Sequence, residues 1–206
     1  MIMFSDVAIP ENNEKEFLDV ASRLGIKKIY FLYDFDKYDK QRLAELSMID
    51  KEIRVEYGFI VNPNNFKKAA VHSKFLVAKS SDKDRFFMES NKIKMIYGLE
   101  ELHKRDYLHQ RASGLNHIIC EIARQNHVAV GFSYSSLLNK PNQLATLLIG
   151  RIMQNISLCK KYRVKIIMGS FSNKPYDLRT PHDIISLFNL FGMDGRIAKN
   201  SLDYGL

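Results

Sequence analysis

Tryptophan is absent from this 206-residue chain, and cysteine (2), proline (5) and glycine (10) are sparse. So little glycine and proline excludes collagen-like and low-complexity architectures. Cys120 and Cys159 stand alone, far apart in sequence. A disulfide framework or a zinc knuckle cannot be expected from them, and a reducing compartment fits. No apolar run reaches the length of a membrane-spanning helix, because Lys140 and polar residues interrupt the longest uncharged stretch. The opening MIMFSDVAIP lacks the basic region of a secretory signal. A soluble, cytoplasmic protein with no membrane partner is the expectation.

What is present describes an ordinary globular chain, 46% hydrophobic, 26% charged and 11% aromatic. A domain of this size buries roughly 70% of its extended-chain surface, enough to cohere without cross-links. Residues 1–206 are therefore expected to form one domain. The net charge is +8, and its distribution is uneven: residues 1–103 hold 17 basic and 17 acidic side chains, residues 104–206 hold 14 and 6. The surplus in the second half points either to a polyanion such as RNA or simply to solubility.

Short apolar, β-branched and aromatic runs recur at Met3 to Ala8, Lys28 to Tyr33, Val55 to Val61, Phe75 to Ala78, Met95 to Tyr97, Val128 to Phe132 and Lys165 to Gly169, with a weaker eighth candidate at Tyr107 to His109. Both alternating faces of Ile29-Tyr30-Phe31-Leu32 are apolar, as in parallel strands covered by helices. Leu115, Ile118, Ile119, Ile122 and Ala123 make one helical stripe flanked by Cys120, and Ala145, Leu148, Ile149, Ile152, Ile156 and Cys159 make another over 142–162. Arg151, Gln154, Asn155, Lys160 and Lys161 fall largely outside that second stripe on this reading. A last helix runs from about Pro181 to Gly192, capped by Thr180. Seven or eight such units predict an α/β fold of (β/α) TIM-barrel-like type with mostly parallel strands. An open doubly wound sheet is the runner-up, and no Gly-rich phosphate loop follows any strand.

In a barrel the chemistry lies at the C-terminal ends of the strands. Those ends offer Asp6, Asp34 and His109 as the only metal-ligand types, with no H-x-H or H-E-x-x-H pair, too few for a dinuclear hydrolytic centre. No metal site and no catalytic residue is assigned. Gly131-Phe132-Ser133 reproduces only half of a nucleophile elbow. His109 stands apart from the other histidines in a dense polar cluster, Arg105, Asp106, His109, Gln110 and Arg111, just before a helix. That cluster reads either as an ion-paired brace or as a phosphate contact.

From Asp106, the stretch DYLHQRASGLNHIICEIARQNHVAVGFSYSSLLN resembles the thirty-kilodalton subunit family of ribonucleases P and MRP, which includes archaeal protein component 3. The family pattern is an Asp, then His-x-Arg, then Ser-Gly-Leu-Asn, a helix, and Ala-x-Gly-Phe-Ser at a strand end. Here it is met by Asp106, His109, Arg111, Ser113 to Asn116, Ala129 and Gly131 to Ser133. Further matches are Arg151 and Asn155, Tyr162-Arg163-Val164, Asp177-Leu178-Arg179 with Pro181 and Asp183, Gly192-Met193, and Ala198-Lys199.

The resemblance implies a barrel distantly similar to metal-dependent phosphoesterases of the polymerase and histidinol phosphatase (PHP) type. Where those carry His-x-His, this chain reads Phe4-Ser5-Asp6-Val7. It also implies a subunit that assists a catalytic RNA in removing the 5′ leader of precursor tRNA, alongside the small protein component 2 and other ribonuclease P proteins. No cofactor would be held by the protein, and Mg²⁺ would be required by the RNA. Candidate phosphate contacts are Arg105, Arg111, Arg124, Arg151, Lys160, Lys161, Arg163, Arg179, Arg196 and Lys199. Asp106, His109, Asn116 and Asp183 form a structural polar set. The segment Phe188 to Met193 is a possible protein contact or simple helix packing. The competing expectation is a stand-alone divalent-metal phosphoesterase using Asp6, Asp34 and His109.

Overall fold

A computed structural model describes residues 4–38, 52–138 and 140–204. Seven parallel strands form one sheet in chain order: β1 (Ser5–Ala8), β2 (Lys28–Asp34), β3 (Arg54–Val61), β4 (Leu76–Lys79), β5 (Met95–Tyr97), β6 (Ala129–Ser133) and β7 (Ile166–Gly169). Around them lie α1 (Glu14–Arg23), α2 (Phe66–His72), α3 (Asp84–Glu89), α4 (His117–Gln125), α5 (Asn142–Tyr162), α6 (Pro181–Leu190) and α7 (Gly195–Asn200). The fully described connections between neighbouring strands cross over through a helix, as parallel pairing requires.

The sheet bends round until its ends meet just beyond β7. The Phe171 amide donates to the Val7 carbonyl (2.7 Å) and the Ile9 amide to the Ser172 carbonyl (2.9 Å). This nearly closes a barrel. Gly169 makes the approach possible, since a Cβ there would lie 3.1 Å from Asp6 Oδ1 and 3.2 Å from the Val7 amide. The seam is completed by a side chain: Asp6 Oδ1 accepts from the amides of Ser170 and Val7, both at 2.6 Å, and Oδ2 accepts from the Tyr134 hydroxyl at 2.9 Å.

Strand alternation explains the two-sided apolar pattern. Val7, Tyr30, Leu32, Val77, Met95, Tyr97, Ala129 and Ile167 fill the barrel interior with Phe75, Phe171 and Tyr204. Ala8, Ile29 and Phe31 face outward onto Phe17, Leu18 and Ala21 of α1. Inside, Tyr97 and Phe171 stack with centroids 4.7 Å apart. Gly58 and Gly131 leave room for these rings, since a Cβ at Gly58 would sit 2.3 Å from Phe75.

Three expectations are corrected. Tyr107 to His109 is no strand but part of a continuously exposed loop. Ile118, expected in the buried stripe of α4, is 49% exposed, and Cys120 takes the buried position instead. Arg151 and Asn155 lie on the buried face of α5, because Leu148, Arg151, Ile152, Asn155, Ile156 and Cys159 follow one helical stripe. Around α6, Phe188, Phe191 and Met193 are buried and only Leu190 stands out, so helix packing accounts for that segment. Among the described residues no helix is long and apolar enough to cross a membrane.

Candidate nucleic-acid interface

The densest sequence pattern becomes a loop at the C-terminal end of β5. Gly98 leaves the strand with φ 78°, and Leu99–Glu101 make one 3-10 turn. Residues 101–111 then run fully exposed before the chain is buried again at Ala112 and Ser113. What holds so exposed a loop lies beneath it on α5. Arg151, 0% exposed, donates from Nε to Asp106 Oδ1 (2.8 Å) and from Nη1 to the carbonyls of Glu100 (2.8 Å) and His103 (2.6 Å). Asp106 Oδ1 also accepts from the Ala112 amide (2.9 Å), and Asn155 donates to the Ser113 carbonyl (2.7 Å).

The rest of the pattern follows from the same fit. Gly114 has φ 86°, and a Cβ there would meet the Leu99 carbonyl oxygen at 2.6 Å, so only glycine serves. Asn116 caps α4 by accepting from the Ile119 amide. Arg111 lies across Gly150 of α5, its Nε 3.1 Å from where a Cβ would stand. Partial desolvation works against ionised Asp106. The Ala112 amide, the Arg151 guanidinium and the nearby Arg111 charge outweigh it and hold the carboxyl below its usual range. Glu100, wholly buried, is pushed up to about 7 by desolvation, against the opposing charge of Arg151. Among the described residues, its carboxylate oxygens, Arg151 Nη2, Asn155 Oδ1 and Ser113 Oγ have no hydrogen-bond partner.

The expected phosphate contacts separate into groups. Arg105 and Arg111 are exposed on the loop beside His109, which is exposed too. Arg179 sits half-buried beyond the C-terminal end of β7, donating from Nη1 to the carbonyls of Tyr176 and Leu178. Arg124, Lys160, Lys161, Arg163 and Lys199 lie at or just past the C-terminal ends of α4, α5 and α7, which places them at the opposite end of the barrel; Arg196 is exposed on α7. Lys160 donates to the Gly192 carbonyl (2.8 Å). Arg151 is the correction: enclosed and occupied on three sides, its charge is spent inside the protein, out of reach of an external phosphate. Asp183, exposed, accepts from Thr180 Oγ1 (2.7 Å) at the start of α6, which Thr180 caps.

The residues of the phosphoesterase alternative are not gathered. Asp6 is buried at the seam with its oxygens occupied, Asp34 is exposed and accepts from the Asp36 amide, and His109 is on the loop. Among the described residues, no group of three or more His, Cys, Asp or Glu is placed to hold a metal ion. Burial raises Asp6 to about 6, against the hydrogen bonds from Ser170, Tyr134 and Val7. Ser133, the half-elbow serine, donates to the Ser170 carbonyl (2.9 Å), which makes it a seam residue.

These features define a nearly closed parallel β/α barrel that presents a basic loop on a buried polar clamp. The family model described as RNase P subunit p30 matches residues 105–204, a stretch that holds Asp106, Arg151, Asn155 and the β7 side of the seam. Over this stretch the chain is similar to that family. Ribonuclease P protein component 3 of Methanothermobacter thermautotrophicus is 24% identical over 195 residues, covering 88% of this chain and 77% of that protein. The component 3 of Methanocaldococcus jannaschii is 25% identical over 169 residues, covering 78% and 71%. In fold, the chain is similar to one in a cryo-EM structure of archaeal ribonuclease P with mature tRNA, with a TM-score of 0.81, 18% identity, and coverage of 98% of this chain and 87% of that one.

Proposed function

We propose that this chain is a protein subunit of the ribonuclease P ribonucleoprotein, assisting a catalytic RNA in 5′-leader removal from precursor tRNA. The observation that carries the reading is the loop 101–111. A buried Arg151–Asp106 clamp holds it in place while Arg105, His109 and Arg111 stay exposed. Internal scaffolding that fixes an exposed cationic segment is what phosphate recognition needs, because a pre-ordered donor loses less entropy on binding. The relatives' name and the similar fold in an archaeal ribonuclease P with mature tRNA support the substrate class and an assembly of this kind, and small protein component 2 is the partner that the family resemblance implies.

The protein's part in this reading is electrostatic. Folding a large RNA crowds phosphates, and bound guanidinium and ammonium groups lower the repulsion, so less Mg²⁺ is needed to populate the active fold. The hydrolytic Mg²⁺ belongs to the RNA, and the chain holds no cofactor of its own. Free thiols at Cys120 and Cys159 support residence in a reducing compartment such as the cytoplasm.

The test is reconstituted cleavage of precursor tRNA with the cognate RNA and partner proteins over a Mg²⁺ series. Arg105→Ala with Arg111→Ala should raise the Mg²⁺ needed for half-maximal activity by about twofold or more and leave the Tm of the free chain within about 2 °C. Turnover by the purified chain alone with Mg²⁺ or Mn²⁺, abolished in His109→Ala, would instead establish the phosphoesterase reading.

A further inference from the structure

A strongly cationic concavity lies at the end of the barrel opposite the loop. Because all seven strands run parallel, their first residues share one mouth. Lys28 opens β2, Arg54 opens β3, Lys74 precedes β4, Lys94 immediately precedes β5 and Lys165 immediately precedes β7. A cavity of about 470 Å³ opens here, lined by Lys28, Arg54, Lys74 and Lys94 together with Tyr30, Tyr57 and Phe75.

Its charges are unevenly matched. Glu56 is taken by Arg54 (2.8 Å) and lies 3.7 Å from Lys28. Lys165 donates to the Tyr204 carbonyl and has Asp203 near it. Among the described residues, Lys74 and Lys94 pair with no carboxylate, and Lys94 and Lys165 repel one another. His72, exposed at the end of α2, adds a further nitrogen side chain to the rim. A fold gains nothing from assembling like charges that repel, so this arrangement is suited to an anion supplied from outside. Tyr57, 42% exposed beside these cations, offers a ring face on which an unpaired base can stack.

We propose that the N-terminal mouth of the barrel is a second RNA-contact surface, in which Lys74 and Lys94 hold phosphates of an unpaired strand against Tyr57. The proposal rests on the ribonucleoprotein reading above and adds to it a site on the other end of the molecule. The mouth is concave and aromatic-walled, which suits a flexible single strand better than a rigid duplex.

The test measures the affinity of the full-length chain for labelled oligouridylate and for the cognate ribonuclease P RNA across a salt series. Two single-strand phosphate contacts contribute about 1.4 to the slope of log K against log salt. Lys74→Ala with Lys94→Ala should lower the slope by that amount, Lys74→Arg with Lys94→Arg should keep it, and Lys15→Ala on the exposed face of α1 should leave it unchanged. Tyr57→Leu should weaken oligouridylate binding about tenfold with the slope intact. An unaltered slope in the double alanine variant, in a chain that still binds RNA and supports cleavage, overturns the mouth and spares the subunit reading. A wild-type chain that binds no RNA overturns both. Loss of inorganic phosphate or partner-protein binding with RNA affinity untouched also overturns the mouth as an RNA site.

Discussion

At the scale of single residues, Arg151 shows how spacing can mislead. An arginine on a long helix with Lys160 and Lys161 nearby reads as a surface cation, yet its position on the apolar stripe of α5 buries it completely. Asp106 and Arg151 both matched the family pattern in the sequence, but nothing there stated that the two would meet across 45 positions (2.8 Å). Glu100 beside them carries a pH signature. Unfolded, it ionises near its ordinary 4.5, whereas burial holds the folded group protonated up to about 7. Between these values the folded state keeps a proton that the unfolded state has released. Stability therefore declines as pH rises from 4.5 to about 7, and the penalty is complete above that. Asp6 acts in the same direction, from 3.8 to about 6. Glu100→Gln should remove its share of this decline and stabilise the chain at pH 8 by on the order of 2 kcal/mol, about 4–8 °C in Tm. Thermal unfolding of both proteins at pH 4.5, 6 and 8 checks this, and a constant difference across the range would exclude Glu100 as the titrating group.

At the scale of elements, legibility followed the physics of each segment. All seven strand runs and the bounds of α5 were readable, because buried parallel strands and a long amphipathic helix carry strong periodic signals. The segment 101–111 gave none. Its backbone is organised by Asp106, Arg151 and Asn155 instead of a strand ladder, and such long-range side-chain bonds leave no local period. The same reliance on distant partners explains why the eighth strand failed and why the seam role of Asp6 was hidden. It also makes Gly114, just after the loop, critical. Gly114→Ala drives a methyl to within 2.6 Å of the Leu99 carbonyl at φ 86°, a cost of about 1–3 kcal/mol. Amide hydrogen exchange should rise over 99–114 while β1, β2 and β3 keep their protection. Uniform loss of protection throughout the barrel would show that the loop and the core unfold as one unit.

At the scale of the whole molecule, half-by-half charge counting concealed the arrangement that matters. The first half of the chain is electrically balanced, 17 against 17, but folding sorts its charges. Lys28, Arg54, Lys74 and Lys94 each stand at or near the start of a strand, and parallel topology carries them to one mouth. The cations of the second half divide between the loop at one end and the C-terminal ends of α4, α5 and α7 at the other. Two basic surfaces then face away from each other across a barrel. Exposed charges farther apart than about 8 Å are largely screened at physiological ionic strength, so the two ends should not influence each other through the protein. If one RNA wraps both, removing cations from each end should act independently on its affinity. Arg105→Ala with Arg111→Ala, Lys74→Ala with Lys94→Ala, and the four changes together form a cycle read by affinity for the cognate RNA at about 0.15 M salt. Losses that multiply, within about twofold, are the expected outcome for simultaneous contact. A quadruple variant no weaker than the poorer double variant would mean that the RNA occupies one end at a time, and the molecule would then be a cationic plug with two alternative docking poses.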